Sequence, residues 1–437
     1  KERRAMVEVW FPYGSTEVPA RIPVENYAGT LEAKKAAKVA DARLAAQGAL
    51  TNPLDAPPLR QLLSPDMPVV IQVNVADPYA PHELLLLPII EELRAASVPD
   101  EKVKIIATAG VRPPLSLEEA KNRLGHALSS RFTVLRHDPM DSATLSLVGE
   151  TRRGTRVYLN KDYLEAPIRV ITGEVGFHSY ALYTGGRESI AFDLSGISTL
   201  AQLHSLLPSG ETGLGPMDTG TLCEEMTEIA GLAPPSFTLN LVRDVESNPV
   251  SFLAGDMARV LEEGIKVVED LSSPAVPELV DIVVASPGGS PWDATLQAAV
   301  GAVENSLPVV RPGGIVVLVA ECREGYGSNG FHEWLGRYRD FRAVVKAIRR
   351  EWEFGAEEAY LLRHAMQTAR VILVSALPEL YAAETYGLRT APTANAAIDL
   401  ALRIAGRKAK VAAVPHAAVV RPRLTASKEL GVTVPGP

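Results

Sequence analysis

Two of the eight histidines in this chain stand where acid–base or metal chemistry could be done. His178 follows a β-branched run and precedes the Gly185-Gly186 turn. His204 lies on a helical pattern about one turn after Leu200. An imidazole changes charge near neutrality and also suits nickel or zinc. Taken singly, each is more often a satisfied structural histidine; the residues around them raise their interest. Glu174 could act as a base, although a strand-end carboxylate is usually just solvated. Tyr79, Tyr180 and Tyr183 could donate protons or simply wall a cleft. His82 could turn into the cleft, but is rather expected at a solvated helix N-terminus.

Familiar motifs are missing. The chain has no Gly-x-x-x-x-Gly-Lys-Ser/Thr loop, no His-Glu-x-x-His and no Gly-x-Ser-x-Gly elbow. One Gly-x-Gly-x-x-Gly string, at Gly325, Gly327 and Gly330, starts too long after a strand pattern for a dinucleotide turn and reads as a loop. The Gly185-Gly186 and Gly288-Gly289 pairs could let backbone approach a ligand, or could be plain turns.

The elements that must position these residues alternate. Strand patterns cover residues 67–75, 103–108, 132–135, 156–159 and 168–172. A helix is expected over 83–96, with Leu85, Ile89 and Leu93 near helical spacing. Ser116 with Glu119 three residues on is a capping-box start. Residues 251–270 read as helical and mark the inter-domain connection. A second series follows: strands at 280–285, 315–320, 369–375 and 410–414, and a helix over 292–305. The pattern predicts an α/β protein of two domains, 1–262 and 263–437, each a mostly parallel sheet flanked by helices, with the active cleft between them. Ligands sit at the carboxyl ends of such strands. That rule points to residues 76–82, 109–114, 173–186, 286–293 and 321–330.

Composition narrows the classes. The chain has 437 residues, a net charge of −8 and a hydrophobic fraction of 46%, which suits two globular cores and argues against nucleic acid as a partner. Two cysteines, Cys223 and Cys322, build neither a disulfide scaffold nor a metal knuckle, and read as buried small side chains. No apolar run reaches the ~18 residues of a membrane span, and none of signal-peptide length follows the charged start. The cytoplasm is the expected compartment.

Three segments carry a family resemblance. They are Gly173-Glu174-Val175-Gly176-Phe177-His178, Tyr183-Thr184-Gly185-Gly186-Arg187-Glu188, and 196–204 ending in His204. Further pieces agree in order: Tyr13-Gly14 with Ile22-Pro23, Asp77-Pro78-Tyr79-Ala80-Pro81, 107–112, His137-Asp138, Gly149-Glu150-Thr151 with Gly154, Gly288-Gly289-Ser290-Pro291-Trp292-Asp293 with Gln297, and Gly313-Gly314. Together they resemble the nickel-pincer lactate racemase family over most of the chain. The resemblance implies an isomerase, a racemase or epimerase of a small 2-hydroxy acid. It implies hydride abstraction to a nickel-pincer nucleotide while a histidine takes the hydroxyl proton.

Position by position, the resemblance makes His178 an acid–base residue, Asp77 an acidic residue beside it and His204 the nickel ligand. Gly185, Gly186, Glu188, Gly288 and Gly289 fall in the cofactor region; Gln297, Tyr180 and Trp292 fall on the substrate. The departures are specific. Val111 stands at the second acid–base position, Glu188 at the cofactor's lysine tether, and Ala80 and Val300 at two cationic positions. With the covalent anchor gone and two charges lost, the resemblance implies an altered, bulkier or less anionic substrate. Two other readings remain open. One is a metal enzyme of different chemistry, its metal held by His178, His204, Asp77 and Glu188. The other is a relative that binds ligands without turnover.

Overall fold

The computed structural model describes residues 5–77, 80–208, 217 and 219–425. The chain divides into two compact units. The smaller takes residues 1–34, 272–325 and 364–437; the larger takes 35–271 and 326–363.

The larger unit is built on a six-stranded sheet. Its strands, in spatial order, are Pro249–Gly255, Phe237–Arg243, Ile168–Glu174, Val69–Asn74, Val103–Thr108 and Thr133–Arg136. All neighbours are parallel except the first pair. The central strand Val69–Asn74 is buried at five of its six positions, as expected for a parallel strand covered on both faces. Helix His82–Ala95 supplies one cover. Leu85, Leu86, Ile89, Ile90 and Leu93 recur at helical spacing and are buried against Ile71, Val73 and Ile105. The capping box at Ser116 forms as expected: the Ser116 hydroxyl accepts from the Glu119 amide, and the Glu119 carboxylate accepts from the Ser116 amide.

The smaller unit has an all-parallel sheet. Its order is Arg389–Thr390, Arg370–Val374, Val310–Val319, Val280–Ala285, Val411–Val414 and Tyr27–Thr30. The N-terminal hairpin of Met6–Tyr13 and Thr16–Pro23 buries Val9, Phe11, Ala20 and Ile22 against Ile282, Val317 and Ile372 of that sheet.

Two expected elements need correction. Residues 251–255 are not helical. They finish the strand Pro249–Gly255, whose pairing with Phe237–Arg243 outweighs local pattern, and the helix begins at Met257. The helix expected from residue 292 starts at Leu296, because the Thr295 hydroxyl caps the Ala298 amide and Trp292 stays in the preceding turn. His82 is also corrected. It begins its helix, but it is only 6% exposed, and its Nε2 has no hydrogen-bond partner.

Gly255 shows how tightly the larger unit is stitched. Its φ is +128°, and a Cβ there would stand 2.2 Å from the Leu54 carbonyl oxygen. The same stretch exchanges backbone hydrogen bonds with Leu54: Leu54 donates to Ala254, and Asp256 donates to Leu54. Gly255→Ala is expected to cost about 2 kcal/mol or more, since neither backbone can yield. Gly231, in helix Thr219–Leu232 with nothing within 4 Å, gives the opposite sign. Gly231→Ala should stabilise by roughly 0.5–1 kcal/mol. Urea unfolding of both variants checks the pair.

His137 ties strand ends together in the same unit. Its Nδ1 accepts from the Asn160 amide (3.2 Å), and its Nε2–H donates to the Ser195 carbonyl (3.1 Å). Burial pushes its pKa down from 6.5 to about 4. The folded state therefore keeps it neutral while the unfolded chain takes up a proton below pH 6.5. Its contribution to stability is complete above 6.5 and is lost as pH falls toward about 4. His137→Gln, whose amide can still donate to Ser195, should flatten the stability profile between those limits when denaturant midpoints are measured against pH.

Candidate active site

Four parallel strands of the larger unit bring polar residues to neighbouring carboxyl ends: Asn74, Thr108, Glu174 and Arg243. Sequence reasoning missed the role of the first two. The signal was available in VVIQVN, where Gln72 and Asn74 interrupt an otherwise apolar, buried strand. Gln72 is fully buried, and a buried amide needs partners. It finds them in Asp193. The Gln72 amide donates to Asp193 Oδ2 (2.8 Å) and to Thr108 Oγ1 (3.0 Å), while Asn74 donates to Asp193 Oδ1 (2.8 Å). Asp193 is held well above the ordinary carboxylate range, first by burial and then by the nearby charge of Glu188.

His178 is set by a short hairpin in which Phe177–His178 pairs with Leu182–Tyr183. The turn requires Leu182 at φ +65°, a left-handed conformation that a non-glycine residue adopts at a cost. In return, the amides of Tyr180 (3.3 Å) and Ala181 (3.2 Å) both donate to His178 Nδ1. The hairpin is pinned at its base. The Gly176 amide donates to Thr184 Oγ1, which itself donates to the Glu174 carbonyl. Gly185 follows at φ +83°, and a Cβ there would lie 2.8 Å from that same carbonyl. The Gly185-Gly186 pair thus permits chain-to-chain approach; the Gly186 amide goes to Asn240 Oδ1.

Glu188 opens the next short helix. Its Oε2 accepts from the Gly185 amide (2.8 Å), and its Oε1 lies 4.0 Å from His178 Nε2. The His178 side chain is 14% exposed and that of Glu188 18%, so the pair retains an open side. Burial pushes Glu188 up to about 7, against the Gly185 hydrogen bond and the Arg187 charge. Burial pushes His178 down to about 4.

His204 ends the helix Ile197–His204 and is sealed. Its ring stacks on Trp352 (4.4 Å between centroids, 13°) and on Phe192 (5.5 Å, 21°). Its Nδ1–H donates to the Leu200 carbonyl (2.7 Å), which leaves Nε2 to accept from the Tyr180 hydroxyl (3.0 Å). Tyr180 in turn packs edge-on against His178 (4.4 Å). The two imidazoles therefore belong to one aromatic cluster, linked through Tyr180, with one ring partly open and the other enclosed.

The remaining expected residues fall in two places. Asp77 stands 3.8 Å from Arg243, whose guanidinium also holds Glu174 Oε2 at 2.7 Å. Glu174 is thus a paired carboxylate, not a solvated one. Tyr183 donates to Glu269. Tyr79 lies outside the described residues. Gly288, Gly289, Trp292 and Gln297 belong to the smaller unit. There the Ser290 amide donates to the Gly14 carbonyl (2.8 Å), and a Cβ on Gly289 would lie 2.7 Å from that oxygen. Asp293 Oδ2 accepts from the amides of Gly14 (2.7 Å) and Glu321 (3.0 Å). Much of this string therefore secures the hairpin tip. Val300 is part of the core.

The side chains do not fit a lysine-tethered nickel-pincer group. Position 188 carries a carboxylate. Both nitrogens of His204 are engaged, so metal ligation would require the Tyr180 hydroxyl to leave. Among the described residues no three His, Cys, Asp or Glu side chains are grouped to hold a metal, which also removes support for a site made from His178, His204, Asp77 and Glu188. No described helix is long and apolar enough to cross a membrane.

Known proteins give this arrangement its context. The lactate racemase N-terminal domain model matches residues 13–215, and the lactate racemase C-terminal domain model matches 276–420. The lactate racemase of Lactiplantibacillus plantarum is 26% identical over 425 residues, covering 94% of this chain and 98% of that protein. The lactate racemase of Thermoanaerobacterium thermosaccharolyticum is 24% identical over 419 residues, covering 94% and 98%. The solved lactate racemase apoprotein from the latter organism superposes with a TM-score of 0.85 over 95% of this chain and all of that one. A Thermotoga maritima protein shares the fold at TM-score 0.63 and 14% identity, over 90% of this chain and all of its own. With both domain models matched in order, the chain belongs to the lactate racemase family.

Proposed function

We propose that the protein is a racemase or epimerase of a 2-hydroxy acid, with a substrate less anionic or bulkier than lactate at its reacting end. The observation that carries this reading is His178. It stands where the resemblance puts an acid–base histidine, beside the Glu188 carboxyl and with one side open. Family membership over both halves of the chain supports the same reaction class.

The chain's own residues supply the proton half of the reaction. An imidazole and a carboxyl 4.0 Å apart leave a gap longer than a hydrogen bond, beside which a hydroxyl reaches both. Burial keeps bulk water from competing, which strengthens each contact. Asp77, Glu174 and Glu188 make this end acidic. Arg243 is bound to Glu174, and Arg123 spends its guanidinium on the carbonyls of Val75 (2.8 Å) and Ala76 (2.6 Å). Ala80 stands at a position that the resemblance makes cationic, so that charge is not supplied from there. No step is routed through a nickel-pincer group, because the residues present do not fit one.

Single enantiomers of lactate and of bulkier 2-hydroxy acids or their esters, followed by chiral chromatography, test the reading. Interconversion is expected for a larger or neutral member of the series. His178→Asn should lower kcat/KM by about 10²–10⁴-fold. Elemental analysis of the same preparation reads nickel directly. Absence of interconversion across the series, with folded protein confirmed by its unfolding transition, would overturn the assignment.

A further inference from the structure

We propose that Glu188 is the proton acceptor of this site and that His178 serves it as a hydrogen-bond donor, the reverse of the role the resemblance gives the histidine. The proposal rests on the reading that a hydroxyl-bearing substrate binds here.

The tautomer argument comes first. His178 Nδ1 accepts from two backbone amides, those of Tyr180 and Ala181. A ring nitrogen that accepts N–H hydrogen bonds carries no proton, so in the neutral ring the proton is on Nε2. The other tautomer would set an Nδ1–H against two N–H donors. The backbone donors are fixed by the hairpin and cannot turn away. His178 Nε2, 4.0 Å from Glu188 Oε1, therefore carries the proton, and the ring has no free lone pair on that side.

The carboxylate is built to receive. Glu188 Oε2 is held by the Gly185 amide, which leaves Oε1 facing the histidine at 4.0 Å. A hydroxyl beside that gap accepts from Nε2–H and donates to Oε1. Its O–H bond breaks as the proton passes to Oε1, and the electron pair stays on the substrate oxygen under the Nε2–H hydrogen bond. The proton returns to the same oxygen at the end of the turnover, so nothing is consumed.

The surrounding groups agree. Burial raises the cost of a charge on Glu188, while the Gly185 hydrogen bond and Arg187 lower it. Tyr180 and His178, packed edge-on, stay neutral, the tyrosine pushed up and the histidine down to about 4 by burial. Glu188, at about 7, is the group able to take and give a proton near neutrality.

Two measurements on the full chain test this. In the first, kcat/KM is followed against pH for the wild type, Glu188→Gln and Glu188→Asp. The wild type should show a limb near pH 7. Glu188→Gln should lose about 10²–10⁴-fold together with that limb, and Glu188→Asp should retain part of both. Glu188→Gln activity within about threefold of wild type would overturn the proposal, since a lost acid–base group costs far more. In the second, nitrogen-15 NMR of the imidazoles, assigned with His178→Asn, reads the tautomer without substrate. The Nε2–H form should persist from pH 5.5 to 8. An Nδ1–H form would overturn the proposal even in an active enzyme. If no 2-hydroxy acid is turned over, the proposed function fails on its own, while the tautomer still decides whether the pair is arranged as described.

Discussion

The larger unit is organised around the cost of keeping two carboxyl groups out of water at one set of strand ends. Glu188 and Asp193 lie five residues apart, both pushed up by burial, and the charge of Glu188 pushes Asp193 up further. An isolated buried carboxylate is expensive unless hydrogen bonds offset its lost hydration. Here the offset comes from backbone and amide donors: Gly185 for Glu188, Gln72 and Asn74 for Asp193. Those amides are in reach because of strand register. Asn74 sits opposite Thr108, and Gln72 sits opposite Ile171 on the other side. A one-residue slip would turn both amides to the other face and leave Asp193 without donors.

The aromatic cluster follows from the same economy of polar groups. His204 is enclosed, yet both its nitrogens are satisfied, one by its own helix and one by Tyr180. Two stacked rings, Trp352 and Phe192, cover its faces. Removing one partner would strand another buried polar atom, which costs more than the net worth of the bond itself. Tyr180 is thus committed twice: its hydroxyl to His204 and its backbone amide to His178. That shared residue mechanically couples a sealed imidazole to an open one.

Much of this was legible in sequence, and the limits are physical. Buried parallel strands such as VVIQVN and VKIIAT announce themselves through continuous apolar runs, and a capping box is a local interaction that sequence spacing reveals directly. The strand Pro249–Gly255 was not legible, because its identity depends on a partner strand and not on its own periodicity. Likewise the pairing of Tyr27–Thr30 with Val411–Val414 joins residues nearly four hundred positions apart. At the site, His178, His204 and Glu188 stood out by position. Asp193 and Arg243 did not, since a carboxylate or guanidinium gains meaning only from what the fold places beside it. The tautomer of His178 was beyond any motif, because two main-chain amides set it.

The resemblance sets a lysine where this chain has Glu188, which makes position 188 a reversal of charge that has to be accommodated. A lysine there would bring a cation to a region that already holds Asp77, Glu174 and Asp193. A glutamate instead adds a carboxyl, whose ionisation is set by burial against one backbone donor and the neighbouring Arg187. Its proton affinity is raised so that it is not fully ionised near neutrality, His178 is kept uncharged, and the nearest helix start presents an amide to its second oxygen. A titrating carboxyl beside a neutral imidazole is better matched to moving a proton from a neutral hydroxyl than to gripping a small anion.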